Sequence, residues 1–304
     1  MSYTVGMESD GIGKSAHDLA DKVMSARKYA GIDRLAVVRA CLAALAAHPK
    51  RKDAEKAEKA AKAALHRMHG AFLVAGGHAK ARALIEANAA AGAGMLEDRS
   101  LARRLLELHG STRERLPAID EACAFIGRFV GGGSSVIDLG CGFNPFALPL
   151  LAALPAAYLA YDICQDTVAL VNKYFRASGQ GAGYSAEALD AAAETPARRA
   201  DVVLLQKLLP LLEQQRKGRS FTLLEELEAS VALVSFPTGS MSGKKRGMAG
   251  FYAGFFERGL LCSLEIMDKA TVGGELFYAV RRKTAPCTAG KDIRNYGING
   301  IIGY

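Results

Sequence analysis

The sequence has no unbroken apolar run long enough to cross a bilayer, because the longest, 147–160 (ALPLLAALPAAYLA), is interrupted by Pro149 and Pro155. A membrane-spanning role is therefore not expected. It also lacks a secretory leader: MSYTVGMESDGIGKSAHDL places acids and glycines where a leader needs a basic start and an apolar stretch, so a cytoplasmic location is expected. Six cysteines (Cys41, Cys123, Cys141, Cys164, Cys262, Cys287) are scattered, with no C-x-x-C pair and no histidine at ligand spacing beside one. That excludes the common structural metal patterns and predicts reduced thiols. No internal repeat is present.

What the chain does have is apolar content: 50% of its 304 residues are hydrophobic, enough for one large core or one core with a smaller attached domain. Its net charge of +8 is uneven, with 21 Lys/Arg against 15 Asp/Glu in residues 1–130 and 18 against 16 in the remainder. The front of the chain is the side expected to face a polyanion.

Residues 15–128 read as helices, because Ala, Leu, Lys, Glu and Arg dominate and apolar residues recur three and four apart, as at Leu35, Val38, Leu42 and Leu45. The stretch 48–69 is lysine- and alanine-rich with little apolar face; it fits a solvated helix, supported by Glu58/Lys62 at i,i+4, and equally a basic face for phosphates. At Gly131-Gly132-Gly133 the pattern changes. Strand-like runs at 135–139, 157–162, 201–206, 230–236 and 275–281 then alternate with helical ones, which predicts a mostly parallel sheet with helices on both faces. The expected organisation is an all-helical domain over 1–130, an α/β domain over 131–284 and a flexible tail over 285–304.

Ile137-Asp138-Leu139-Gly140-Cys141-Gly142 lies where the first of those strands should turn into a helix, so Gly140 and Gly142 let backbone approach a ligand with no Cβ in the way. A dinucleotide fingerprint would need a third glycine where Pro145 stands, which disfavours pyrophosphate binding. Asp162, 22 residues after Gly140, ends the next strand, where a carboxylate can accept hydrogen bonds from both ribose hydroxyls. The D-x-G-x-G form with this spaced acid resembles a Class I S-adenosylmethionine (SAM)-dependent methyltransferase, a Rossmann-like fold.

Further segments narrow the resemblance: LHRMHGAF (65–72), HGSTRERL (109–116), QKLLPLLEQQ (206–215), SFPTGS (235–240) and GKKRGM (243–248). Over roughly residues 15–283 the chain resembles the aminoglycoside-resistance 16S rRNA (guanine-1405, N7) methyltransferases of the Arm, Rmt and Sgm type. The loop 240–248 departs from that pattern in the order of its Arg and Lys, which are not equivalent if one stacks on a base. The resemblance implies that Arg115 holds the SAM carboxylate, with His109, Ser111 and Thr112 of the same segment on the cofactor side. Gly140 and Gly142 would pass under the methionine part, Cys141 and Asn144 would also border the cofactor, Asp162 would take the ribose, and Ile163 would flank the adenine. Glu187 and Asp190 both compete to face the adenine, and Asp190 is chosen. Gln206 and Lys207 would lie beside the methyl group.

Guanine N7 has a lone pair and no proton to remove, so Gln206 and Lys207 are expected to position rather than to act as a general base, and no metal is expected. N7 lies in the deep, narrow groove of A-form RNA, so the base should be extruded into the site. Lys244, Lys245 and Arg246 are expected to clamp phosphates near the cofactor, with His109 and Phe143 as stacking neighbours. Lys50, Arg51 and Lys52 are expected to grip rRNA from the helical domain. The implied partner is 16S rRNA in the assembled 30S subunit, the implied state a monomer, and the implied phenotype resistance to 4,6-disubstituted 2-deoxystreptamine aminoglycosides such as kanamycin and gentamicin types. Two other readings share the fold: a methyltransferase for adenine 1408 N1, and a ribosome-binding protein without turnover. The STRER and SFP segments argue against the first, and the intact IDLGCG, Asp162 and Arg115 against the second.

Overall fold

A computed structural model of the chain describes residues 10–92, 94–239 and 248–283. Lys244, Lys245, Arg246 and the expected tail at 285–304 lie outside the described residues. The described residues divide into two compact units, one running to Ala71 and including Ile163–Asp166, the other comprising Phe72–Asp162 and the chain from Thr167 onward.

In the smaller unit α1 (Asp10–Met24), α2 (Arg34–Ala47) and α3 (Ala54–Met68) enclose a core of small residues with Val37, Cys41, Ile32 and Leu65. Asp33 caps α2 by accepting the Ala36 N–H at 3.1 Å. α3 buries only the stripe Ala57, Ala61 and Leu65. Glu58 on it bridges Lys62 and Lys22, each at 2.6 Å, so the basic helix is solvated on its remaining faces.

The larger unit begins with four more helices, α4 (Gly77–Ala90), α5 (Arg99–Leu106), α6 (Gly110–Arg115) and α7 (Ile119–Gly127). It continues through β1 (Ser135–Leu139), β2 (Ala157–Asp162), α8 (Gln165–Ala177, mostly in this unit), β3 (Tyr184–Ala188), β4 (Ala200–Gln206), α9 (Leu209–Gln215), α10 (Arg219–Glu226), β5 (Ala229–Pro237), α11 (Met248–Gly259), β6 (Leu264–Val272) and β7 (Glu275–Arg282). The strands form one sheet in the order β3-β2-β1-β4-β5-β7-β6. β1 to β5 are parallel, whereas β7 pairs antiparallel with β5 and with β6. One face is covered by α4, α5, α7 and α8, which pack Ile85, Leu105, Ile126 and Tyr174 against Val136, Tyr158 and Leu204. The other carries α9, α10 and α11, with Phe221, Tyr252 and Phe256 against Val203, Val234 and Tyr278.

The predicted α/β sheet with helices on both faces is thus present, but the units do not divide at the glycine run. α4, α5 and α7 belong with the sheet because their apolar faces are buried on it, so the separate helical unit ends near Ala71 rather than at residue 130. Two strands carried no signal. β3 (YSAEA) has no β-branched residue, and β6 is an edge strand whose exposed Ile266 and Met267 blur its alternation. Cys41, Cys123, Cys141 and Cys164 are free and buried, and Cys287 lies outside the described residues. No helix among the described residues is long and apolar enough to cross a membrane.

Candidate active site

The expected site residues gather at the carboxyl ends of the parallel strands, where the order reverses between β1 and β4, the place at which open α/β sheets bind ligands. Leaving β1, the chain turns through Gly140 at φ +65° and Gly142 at φ +49°, the left-handed region where side chains are strained. Space is also short: a Cβ on Gly140 would stand 2.9 Å from Leu208 Cδ1, and one on Gly142 2.9 Å from His109 Cε1. The turn is fixed by hydrogen bonds from Cys141 N–H to the Tyr161 carbonyl (2.9 Å) and from Gly142 N–H to Asp162 Oδ2 (2.8 Å). The predicted acid at the end of β2 therefore touches the predicted glycine loop.

His109 is buried and stacks on Phe143, with centroids 5.0 Å apart, and on the far side against Phe72 at 6.1 Å. Both rings expected to stack on a base are thus committed to the core beneath the glycine turn, which corrects that expectation. Thr112 donates its hydroxyl to the Leu106 carbonyl at 2.6 Å, tying the turn between α5 and α6. Ser111 meets His109 Nδ1 through its hydroxyl at 3.1 Å and accepts from Lys207 Nζ through its carbonyl at 3.3 Å.

Arg115 reveals a residue that the sequence reading missed. Its Nε and Nη2 donate to the two carboxylate oxygens of Glu275 at 2.8 and 2.9 Å, and its Nη1 donates to Asn144 Oδ1 at 2.9 Å. Lys207 joins the same carboxylate at 3.1 Å and reaches Glu114 at 3.0 Å. Ser235 donates its hydroxyl to Glu275 at 2.8 Å, and its carbonyl and hydroxyl both receive the Lys207 N–H. Burial pushes the Glu275 carboxyl up, but the fields of Arg115 and Lys207 and the hydrogen bonds from Arg115 and Ser235 overcome it, leaving its pKa at about 2. One edge of the guanidinium is therefore filled by the protein. By donor count one Nη1 and one Nη2 proton remain for a second carboxylate.

Lys207 has φ +56°, the one non-glycine residue with positive φ among those described, a conformation costing on the order of 1–3 kcal/mol and concentrated at functional sites. Its neighbour Gln206, at the end of β4, has a buried Oε1 with no hydrogen-bond partner among the described residues. Gln206 lines a cavity of about 30 Å³ with Arg115, Asn144, Tyr158 and the apolar face of α7. Asp138, fully buried on the same face of β1, accepts from Tyr158 Oη at 2.7 Å, and burial raises its carboxyl to about 7 against the pull of Tyr158 and Arg115. A carboxyl raised on folding stabilises the protein below its unfolded value, near 4, and loses that contribution as pH rises through 7. Asp138→Asn should remove this dependence, so its thermal unfolding temperature relative to the parent should rise between pH 4 and pH 8. A constant difference across that range would show that Asp138 titrates normally.

Of the two acids after β2, Glu187 points to an exposed ion pair with Arg198 (3.3 Å), whereas Asp190 is buried beside the end of β2, where Leu189 N–H donates to the Asp162 carbonyl (3.1 Å). Ile163 is half-buried in the smaller unit, packed against the α1–α3 core, with its carbonyl accepting from Asp33 N–H at 2.8 Å. Lys50 and Lys52 are exposed in the turn between α2 and α3 of that unit; the side chain of Arg51 lies outside the described residues. No group of residues that could hold a metal occurs among those described.

The parallel sheet, the two left-handed glycines and the acid closing on them define a Rossmann-like methyltransferase. The chain belongs to the ribosomal RNA methyltransferase (FmrO) family, whose model matches residues 25–279. It is 34% identical over 216 residues to a 16S rRNA (guanine(1405)-N(7))-methyltransferase of Serratia marcescens, covering 71% of this chain and 80% of that protein. A protein of the same name from Frankia casuarinae is 33% identical over 266 residues, covering 86% of this chain and 92% of its own. Among solved structures, the 16S rRNA methyltransferase RmtF in complex with S-adenosyl-L-homocysteine superposes with a TM-score of 0.78 at 38% identity, covering 91% of this chain and all of that one.

Proposed function

We propose that the protein transfers the methyl group of SAM to N7 of guanine 1405 of 16S rRNA. The observation that carries this reading is the glycine turn locked by Asp162 beside the Arg115–Glu275–Lys207 cluster, in a chain whose relatives over most of its length are named for that reaction. The residues present fit the cofactor. Gly140 and Gly142 let the backbone turn closely past Leu208 and His109, where a Cβ would clash, and Gln206 Oε1 is a buried acceptor in want of a donor. Bound SAM supplies a methyl group on a sulfonium, electrophilic enough for direct displacement.

The protein's own part is placement. Asp162 takes the ribose, Asp190 the adenine side, the remaining Arg115 donors the methionine carboxylate, and Gln206 and Lys207 border the methyl group. No side chain need accept a proton, since N7 has none, so orientation and a tolerant field for the spreading charge carry the rate. The ion-paired Lys207, pinned by two carboxylates, is held with its charge compensated rather than presented bare to a base about to become cationic.

The substrate is proposed to be the assembled 30S subunit, met by a monomeric enzyme in the cytoplasm, with residues 10–71 as a gripping surface; they hold 13 Lys/Arg against 7 Asp/Glu. Lys50, Arg51 and Lys52 would take backbone phosphates there, and Lys244, Lys245 and Arg246 would clamp the extruded nucleotide. The product base carries a positive charge and has lost its Hoogsteen acceptor, so a polycationic aminoglycoside meets repulsion and a missing hydrogen bond, and resistance follows.

Labelled SAM should deliver one methyl group per 30S subunit and far less to naked 16S rRNA. Lys50→Ala with Lys52→Ala should weaken subunit binding and flatten its logarithmic salt dependence by roughly 1–2 units, while S-adenosylhomocysteine affinity stays at the parent value. Unchanged subunit binding by this variant would remove the smaller unit from the rRNA interface.

A further inference from the structure

Arg219 opens α10 and is almost completely buried, yet it belongs to none of the segments that carry the methyltransferase resemblance. All the identified bonds of its side chain but one run to a single loop. Nε donates to the Ala191 carbonyl at 2.9 Å, Nη2 to the Glu194 carbonyl at 2.8 Å and to Thr195 Oγ1 at 2.7 Å. Nη1 donates to Glu226 Oε2 at 2.6 Å, and that carboxylate also accepts from Thr195.

The loop needs such a clamp. Residues 190–195 read DAAAET, so no large side chain anchors them, and Ala191 and Ala192 are buried. The turn is rooted in Asp190, whose carbonyl accepts from Ala193 and Glu194 N–H at 2.9 and 3.0 Å and whose Oδ1 accepts from Ala192 N–H at 3.1 Å. Without the guanidinium, the Ala191 and Glu194 carbonyls and the Thr195 hydroxyl would each lose a donor. A lysine, with one nitrogen, cannot span these acceptors.

The clamp is itself anchored toward the other end of the site. Buried Glu213 on α9 accepts from Gly218 N–H at 2.6 Å and Ser220 N–H at 3.4 Å, and Ser220 Oγ donates to the Leu209 carbonyl at 2.9 Å. Leu209 stands two residues after Lys207. The backbone of residues 218–220 therefore carries buried hydrogen bonds to the loop of Asp190 on one side, through Arg219, and to the chain leaving β4 on the other, through Ser220.

From this geometry we infer that Arg219 is a positioning residue that sets adenine recognition, by fixing through the 190–195 loop the carboxylate of Asp190. The inference rests on the reading of Asp190 as the adenine-side acid. A carboxylate there accepts from the 6-amino group of adenine; hypoxanthine presents a carbonyl oxygen at that position and should be rejected.

Calorimetry on the full chain with S-adenosylhomocysteine and S-inosylhomocysteine tests it. The parent should prefer the adenosyl ligand by at least ~30-fold, a ratio of the size that one buried mispaired polar contact sets. Arg219→Lys should cut the preference at least ~10-fold, raise the KM for SAM, and leave kcat at saturating SAM within about twofold. A purely structural arginine would instead weaken both ligands equally and leave their ratio unchanged, which overturns the inference. Should Arg219→Lys fail to fold, the isosteric Thr195→Val reports in its place, with a drop of the ratio expected and an unchanged ratio contradictory. Asp190→Asn separates the two layers. If it abolishes discrimination while the clamp variants keep it, only the role of Arg219 falls; if it leaves discrimination intact, the reading of Asp190 falls first.

Discussion

Glu275→Ala is expected to lower the unfolding free energy by about 3–5 kcal/mol, because it strips the shared carboxylate from two buried cations. Arg115 and Lys207 are 6% and 9% exposed at the side chain, and after the change they would keep, among the described residues, only Asn144, the partly exposed Glu114 and the Ser111 carbonyl as acceptors. Against a typical total of about 5–15 kcal/mol, that is a large share. Urea unfolding followed by circular dichroism measures it directly. Glu275→Gln keeps the shape and removes the charge, so it separates electrostatics from packing. The depressed Glu275 carboxyl adds a pH signature: its stabilisation is present above the unfolded value, near 4.3, and disappears as pH falls toward about 2. The parent should therefore lose stability faster than Glu275→Gln across that acid window. Equal slopes, or an alanine variant as stable as the parent, would mean that the cluster contributes no net stabilisation.

Asp162→Ala should lower the affinity for S-adenosylhomocysteine by a factor on the order of 100 or more. Charge-assisted hydrogen bonds contribute about 1.5–3 kcal/mol each, and this carboxylate is assigned the ribose hydroxyls while also holding Gly142 N–H. The second effect matters as much as the first. Gly142 sits in a left-handed conformation over His109, and the Asp162 bond at 2.8 Å helps to keep the turn open. Asp162→Asn retains one oxygen for Gly142 or for the ribose but not the charge, and should fall between parent and alanine. Calorimetric affinities within threefold of the parent for both variants would place the ribose elsewhere.

The main site features were legible where they depend on local backbone demands. A glycine pair after a β-branched run, followed by an acid at the end of the next apolar run, is a pattern written within 30 residues of sequence, and the structure closes Asp162 onto Gly142. Glu275 was invisible for the opposite reason. It lies 160 residues from Arg115, and only the antiparallel pairing of β7 with β5 brings it to Ser235, Lys207 and Arg115. Arg219 was hidden in the same way, since all its side-chain partners but Glu226 belong to a different crossover. His109 and Phe143 show how aromatic residues mislead: their composition suits base stacking, but their rings stack on each other in the core. The glycine run at 131–133 misplaced the boundary because it marks a change of secondary structure. Burial of α4, α5 and α7 on the sheet is a long-range property that no local composition reports.

The most direct test of the account is to methylate unmodified 30S subunits with the purified protein and SAM, then cleave the rRNA with borohydride and aniline and map the breaks by primer extension. That chemistry breaks the strand only at N7-methylguanine. A single new stop at guanine 1405, dependent on SAM and lost in Asp162→Ala, is the predicted result. Incorporation of label without cleavage there would place the methyl group on another atom or base and contradict the assignment.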